Sequence, residues 1–316
     1  SGITDLNFTE CRFNTEENLN LLNKYIQKNK NKLKNLIVSK KKVYNDIFTP
    51  YITSLQKVDL SFSNISTLLY LPIDILNLSH NNIGKIGLEN IVKNLKSNLC
   101  TLKKLNLEKN YIGNEGCVIL GESFKYNKSL ISINLAGNNI LDEGAVAIAN
   151  NIKSEVNKTI KKINFRDNSI TSRGIIQFCA ILKSEPIERF SKIDFSVNYL
   201  NDEGLSDYGY FISRFENMTS LVLSDRFSKN SLNNFFIYCQ SLTNLKKIIF
   251  HQINLTEEST NHLSQILLNN KNIEKIVFST NRSLHDGIID ITQGIEHNLK
   301  LTHLSLKTCY IKDNGA

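Results

Sequence analysis

A single pattern, L-x-x-L-x-L-x-x-N/C, recurs along nearly the whole chain and leaves few folds open. Copies begin at Ile3, Leu33, Leu55, Ile73, Leu102, Leu130, Ile160, Phe190, Met218, Leu245, Ile273 and Leu301, and most are 27 to 30 residues apart. A unit of that length cannot bury its own apolar side and must stack on its neighbours. Three apolar residues per copy, such as Leu102, Leu105 and Leu107, point inward from a short strand and its entry turn. Eight residues after each start stands a ladder position, filled by Cys11, Asn81, Asn110, Asn138, Asn168, Asn198, Asn281 and Cys309. Asparagine there can bond backbone groups where the chain turns, and cysteine can take its place. A glycine follows (Gly87, Gly116, Gly144, Gly174, Gly204, Gly287, Gly315), and then an amphipathic helix. Ala145, Ile148, Ala149 and Ile152 share one helical face, and so do Ile175, Phe178, Cys179 and Leu182.

This is the leucine-rich repeat pattern. With its long period and the N-x-I-x-[DN]-x-G seen at 110–116, the chain resembles the ribonuclease-inhibitor-like class. Relatives of that class include the ribonuclease inhibitor, the sensor halves of NOD-like receptors and the Ran GTPase-activating protein. The resemblance implies an α/β solenoid, a horseshoe with parallel strands on its concave face and helices on its convex face. It also implies a concave surface that grips a protein, and it carries over no functional residue. Helices are about 10 Å wide and strands about 4.8 Å apart, so such a stack must curve. One repeat domain is expected over 1–316. The copies from Leu33 and Leu55 are only 22 and 18 residues long, so 33–72 is expected to be poor in helix. The stretch "LPIDILNLSHNNI" (71–83) reads like shorter bacterial repeats. With its Lys/Asn/Ile-rich composition, the chain resembles leucine-rich-repeat effectors that intracellular bacteria deliver into host cells, which implies the host cytosol. The chain stops mid-repeat at "YIKDNGA" and begins inside a strand motif at Ile3, so the parent protein is expected to continue beyond both ends.

Asp142 and Glu143, beside Gly144 and an asparagine cluster, could form a metal loop or an acid–base pair. Asp202-Glu203 repeats the device and Asn114-Glu115 nearly does, always where a helix begins. Carboxylates there answer free N–H groups and the helix dipole, so the pair reads as scaffold. No GxxxxGK[ST], HExxH, GxSxG or GxGxxG occurs. "HDG" at 285–287 is the ordinary loop-to-helix position, and no cofactor is implied. The 6 cysteines are scattered without a CxxC pair, which fits reduced thiols in a cytosol. Sequons such as those at Asn77 and Asn157 arise by chance in an Asn-rich chain. No apolar run is long enough for a membrane helix.

Departures from the repeat point to function. The ladder position becomes Arg226 and then Ile253, and the glycine position becomes Leu232 and then Ser259, in two adjacent copies. One column faces the hollow: Asn7, Ile37, Asp59, Asn77, Asn106, Asn134, Asn164, Asp194, Val222, Ile249, Val277, Ser305. It turns from polar to β-branched at Val222, Ile249 and Val277, with Ser224, His251, Gln252 and Ser279 nearby. An apolar stripe with a polar rim marks a contact site, although the same residues would serve a strand that binds nothing. A second column is basic (Lys57, Lys104, Lys162, Lys192, Lys247, Lys275) and forms one rim. That rim either steers an acidic partner or keeps the protein soluble. The net charge of +8 favours acidic partners. The run Lys24–Lys42 reads as a solvated face plus a loop, with nucleic acid or an anionic membrane surface as the alternative, and the rim lacks the aromatic residues that single-stranded nucleic acid stacks on. The expected partner is therefore a protein of acidic character, with no small-molecule substrate and with nucleic acid disfavoured. A small-GTPase regulator, or the targeting part of an enzyme whose catalytic domain lies beyond 316, is the alternative.

Overall fold

The computed structural model describes residues 3–9, 11, 16–29, 31–38, 55–63, 72–281, 284, 287–296, 298–309 and 311. Parts of the expected helix-poor stretch (39–54 and 64–71) lie outside the described residues. So do His285, Asp286, and the expected mid-repeat end at 312–316 with Gly315. The chain divides into two compact units, Ser1–Ile160 and Lys161–Ala316. The first contains β1 (Asp5–Asn7), α1 (Glu16–Lys28), β2 (Asn35–Ile37), β3 (Lys57–Asp59), β4 (Ile75–Asn77), α2 (Gly84–Leu95), β5 (Lys104–Asn106), α3 (Gly113–Phe124), β6 (Ser132–Asn134) and α4 (Asp142–Ile152). The second contains β7 (Lys162–Asn164), α5 (Ser172–Ile181), β8 (Lys192–Asp194), α6 (Asp202–Ser213), β9 (Ser220–Ser224), α7 (Lys229–Cys239), β10 (Lys247–His251), α8 (Glu257–Asn269), β11 (Lys275–Ser279), α9 (Gly287–Ile295) and β12 (His303–Lys307). In the first unit β1 to β6 pair in chain order, parallel and in register. In the second, β7 pairs with β8, and β9 to β12 pair in chain order. Each unit is an α/β solenoid.

Alternation along the strands separates core from open face. Leu76, Leu105 and Ile133 are buried in the first unit, and Ile163, Ile193, Leu221, Ile248 and Ile276 in the second. The next inward position of the second unit is mostly aromatic. Phe165 stacks on Phe195 at 5.3 Å, and Phe250 on Phe278 at 5.6 Å. Helix residues close the layer from the other side, including Ile148, Ala149 and Ile152 on α4 and Ile175 and Phe178 on α5, all fully buried.

The recurring glycine reflects close approach between neighbouring helices. A Cβ on Gly204 would lie 2.6 Å from Ser172 Oγ on α5 and 2.7 Å from Leu200 Cδ1. One on Gly144 would lie 2.7 Å from Asn114 Oδ1 of α3. We expect Gly204→Ala to cost about 1–3 kcal/mol through this overpacking. Thermal unfolding unchanged from the parent would show that the helices can separate freely.

Asp142 and Glu143 occupy the first turn of α4, where their charge suits the dipole, and the N-cap residue, Leu141, makes no side-chain capping bond. The N–H of Leu141 donates to Asn114 Oδ1 at 2.8 Å, and Asn114 Nδ2 donates to Glu143 at 2.9 Å. In the second unit the N–H of Ser228 donates to Asp202 Oδ1 at 2.9 Å. These acids tie one repeat to the next. Burial pushes the Cys117 thiol up to about 12, and pushes Cys179 and Cys239 up as well, so all three are inert core residues.

Candidate protein-binding surface

In most repeats with a three-residue strand, two side chains share the work of ending it. In β6 the N–H of Ala136 donates to Asn134 Oδ1 (3.1 Å) instead of to a neighbouring strand. The carbonyl of Leu107 then accepts from Asn138 Nδ2 (2.9 Å), whose Oδ1 takes the N–H of Asn110 (2.8 Å). The first exchange recurs as Thr9 to Asn7, Ser61 to Asp59, Ser79 to Asn77, Glu108 to Asn106, Arg166 to Asn164 and Ser196 to Asp194, at 2.9–3.1 Å. Such Asx turns withdraw one backbone donor from the ladder. The ladder residues answer from the other side. Asn81 donates to the Leu60 carbonyl, Asn110 to Leu78 and Asn198 to Phe165. Asn168 donates to Phe165 within its own repeat, and Asn281 to Phe250. Cys309 does the same with its thiol, 3.4 Å from the Phe278 carbonyl, while Cys11 is exposed.

The change at Val222, Ile249 and Val277 is therefore a change in strand length. With no side-chain oxygen at Val222, Ile249 or Val277 to take the N–H two residues on, β9, β10 and β11 run five residues where β7 and β8 run three, and β12, with Ser305 in the column, runs five beside them. Register continues through Val222, Ile249, Val277 and Ser305, and through Ser224, His251, Ser279 and Lys307. Lys247 and Lys275 stand directly opposite each other at the strand starts, beside Ser220 and His303. Strand alternation puts these three rows on the face away from the helices. Ile249 and Val277 are half-buried, whereas Val222 is only 5% exposed and closes one end of the apolar row. Gln252 is exposed beyond the strand, at φ 56.

Of the basic column, Lys104, Lys162 and Lys247 are exposed and Lys57, Lys192 and Lys275 half-buried. Lys192 pairs with Asp194 at 3.2 Å. Lys247 and Lys275 contact no carboxylate among the described residues. Lys57 and Lys104 begin β3 and β5 in the first unit, and Lys162, Lys192, Lys247 and Lys275 begin β7, β8, β10 and β11 in the second.

A polar cluster that the sequence did not reveal flanks the row at its Val222 end. Arg166 Nη1 donates to Ser196 Oγ at 3.1 Å, and Ser196 Oγ donates to the buried Asp194 at 2.7 Å. Ser224 accepts from the N–H of Val197 and donates to Asp225 at 3.2 Å. Asp225 stands at φ 101, a left-handed conformation that is costly for a residue with a side chain. Burial raises its carboxyl above the usual range, against the pull of Ser224 and Arg166. His251 Nδ1 shares a hydrogen bond with Ser279 Oγ. Burial first, and the charge of Arg166 second, hold the imidazole below its ordinary value. In an NMR titration His251 should therefore have its midpoint below about 6.5. Because the folded value is the lower one, its contribution to stability is complete above about pH 6.5 and is lost as pH falls through the folded midpoint. A midpoint above that of an unfolded histidine would contradict the burial.

A second asparagine ladder also escaped the sequence reading. Asn127 donates to the Leu95 carbonyl, Asn157 to Phe124, Asn270 to Leu242 and Asn298 to Asn270, at 2.6–3.2 Å. The signal was present: each stands three residues ahead of a repeat start, at Leu130, Ile160, Ile273 and Leu301. No three His, Cys, Asp or Glu side chains among the described residues are placed to hold a metal ion. No described helix is long and apolar enough to cross a membrane.

Residues 74–92, 98–120, 126–149 and 156–179 match the family model described as Leucine Rich repeat. These segments are leucine-rich repeats. The matches stop short of the five-residue strands, where the repeat changes character. Among solved structures, Leiomodin-1 Actin-Binding Site 2 (ABS2) is similar at 16% identity and a TM-score of 0.28, over 68% of this chain and 88% of that one. None of the curated proteins matches the chain.

Proposed function

We propose that this chain is a protein-interaction module whose contact surface is the open face of β9 to β12. One observation carries the reading: the polar strand-ending residues give way to an aliphatic row in the repeats whose strands lengthen, and that row lies between lysines and a hydrogen-bonded polar cluster. An apolar centre with a polar, charged rim is the composition of a contact patch. Ile249 and Val277 are the anchors, Val222 closes the row, His251, Gln252 and Ser279 supply polar contacts, and the buried Ser224 braces Val197 and Asp225 beside them. Lys104, Lys162, Lys192, Lys247 and Lys275 favour a partner of acidic character and speed its approach. The Lys/Asn/Ile-rich composition and the short copies at 33–72 support a place among bacterial effectors that act in a host cytosol, with the ribonuclease-inhibitor-like period as the family style.

Affinity capture from eukaryotic cytosol, read by quantitative mass spectrometry, tests this with Ile249→Asp beside the parent chain. A charge at the centre of a contact patch costs about 2 kcal/mol or more, so retention of the partner should fall at least about thirtyfold. Because Ile249 lies on the open face, the two proteins should unfold at matched temperatures. A partner held equally by both would remove the strand face from consideration.

A further inference from the structure

We infer that the occupant of this face is an acidic amphipathic helix lying across the strands, a reading that rests on the proposed function above and specifies its partner. Three observations converge on it.

The first is spacing. Neighbouring strands lie about 4.8 Å apart, and the accessible anchors Ile249 and Val277 are directly opposite, with the buried Val222 closing the row. Residues i and i+3 of a helix advance about 4.5 Å and match that separation. Same-face neighbours of an extended segment advance about 6.7 Å and would miss it by about 2 Å.

The second is backbone supply. β10 is hydrogen-bonded to β9 on one side and to β11 on the other, so the face offers side chains and no free strand edge. An extended segment laid across it would bury its own N–H and C=O groups against an aliphatic floor, whereas a helix satisfies them internally.

The third is charge. Lys247 and Lys275 form one wall of the row, and no carboxylate among the described residues pairs with them. His251 and Lys307 stand on the other wall. Of the carboxylates at the Val222 end, Asp194, in the column of Val222, is taken by Lys192 and Ser196, and Asp225 accepts from Ser224. A helix with Asp or Glu flanking its apolar seam is therefore complementary. A second copy of this chain, itself at +8, would oppose like charge, and the aliphatic floor offers nucleic-acid bases no aromatic surface to stack on.

The test is selection of random 16-residue peptides displayed on phage against the folded 316-residue chain, with counter-selection against Ile249→Asp. The expected winners carry aliphatic residues at i and i+3 with flanking Asp or Glu. As synthetic peptides they gain helical circular dichroism on binding, and they bind Lys247→Glu/Lys275→Glu at least tenfold more weakly at low salt. Winners with alternating apolar residues and no helical signal would overturn the helix while leaving the surface intact. Basic or uncharged winners would overturn the charge assignment. No enrichment over Ile249→Asp would overturn both this inference and the function it rests on. Sedimentation showing an Ile249-dependent dimer, or binding of a labelled single-stranded DNA 20-mer that the lysine variant abolishes, would reassign the face to a second copy or to nucleic acid.

Discussion

Phe178→Ala is expected to lower the unfolding free energy by about 3–5 kcal/mol, the largest stability loss from a single side chain here. Phe178 is fully buried on α5 and meets three rings, Phe195 at 5.1 Å, Phe165 at 5.8 Å and Phe211 at 6.3 Å, all edge to face. Truncation removes the transfer free energy of a ring, leaves a cavity and breaks the three aromatic contacts, each worth about 0.5–1.5 kcal/mol beyond its area. The surrounding rings cannot collapse into the space, because Phe165 and Phe195 are already stacked on each other and Phe211 packs on Phe215 at 5.0 Å. In a stacked array the loss is felt first by the damaged repeat and its neighbours. Hydrogen exchange should therefore accelerate in β7, α5, β8 and α6 before the urea midpoint is reached. A loss below about 1 kcal/mol would mean that the cluster relaxes around the cavity.

Asn138→Ala should cost about 2–4 kcal/mol, although it removes only a small polar side chain. Asn138 is fully buried and bonds four backbone groups: it donates to Leu107 and Ala136, and accepts from Asn110 and Ile112. Each bond is worth about 1 kcal/mol net, and each buried group left without a partner costs about 1–3 kcal/mol. Water can reach some of those groups after the truncation, which keeps the total below the simple sum. Asn138→Cys should recover part of the loss, because Cys309 already makes the corresponding donor bond with its thiol. Urea unfolding of the three proteins checks the order. Alanine and cysteine variants of equal stability would show that the donor bond to Leu107 contributes nothing.

How much of this was legible depended on how local the cause was. The strands, the helices beginning at Asp142 and Asp202, and the buried Cys117 and Cys179 followed from apolar spacing within one repeat. Asn138 and its equivalents stood out because they recur at a fixed distance from each start. Asn127 and Asn157 recur just as regularly, but the surplus of asparagine hid them. Val222, Ile249 and Val277 were visible as a departure, yet their letters fit a binding stripe and a plain strand equally well. What distinguishes these repeats is two extra residues of strand, and that follows from the N–H of Ser224, His251 or Ser279 losing its side-chain acceptor. Arg166, Asp194, Ser224 and His251 lie up to 85 residues apart, so no window of sequence brings them together.

The sequence by itself determined the repeat, its α/β composition and its inward-facing residues, because each is set by chemistry within about 30 residues and then copied. The tertiary structure alone decided which outward-facing residues stand in one row, how far each strand runs, and where Arg166, Asp194 and His251 converge. The physical reason is that parallel pairing fixes register between strands a full repeat apart, so a side chain's neighbours on the open face are chosen by stacking and not by the order of the chain.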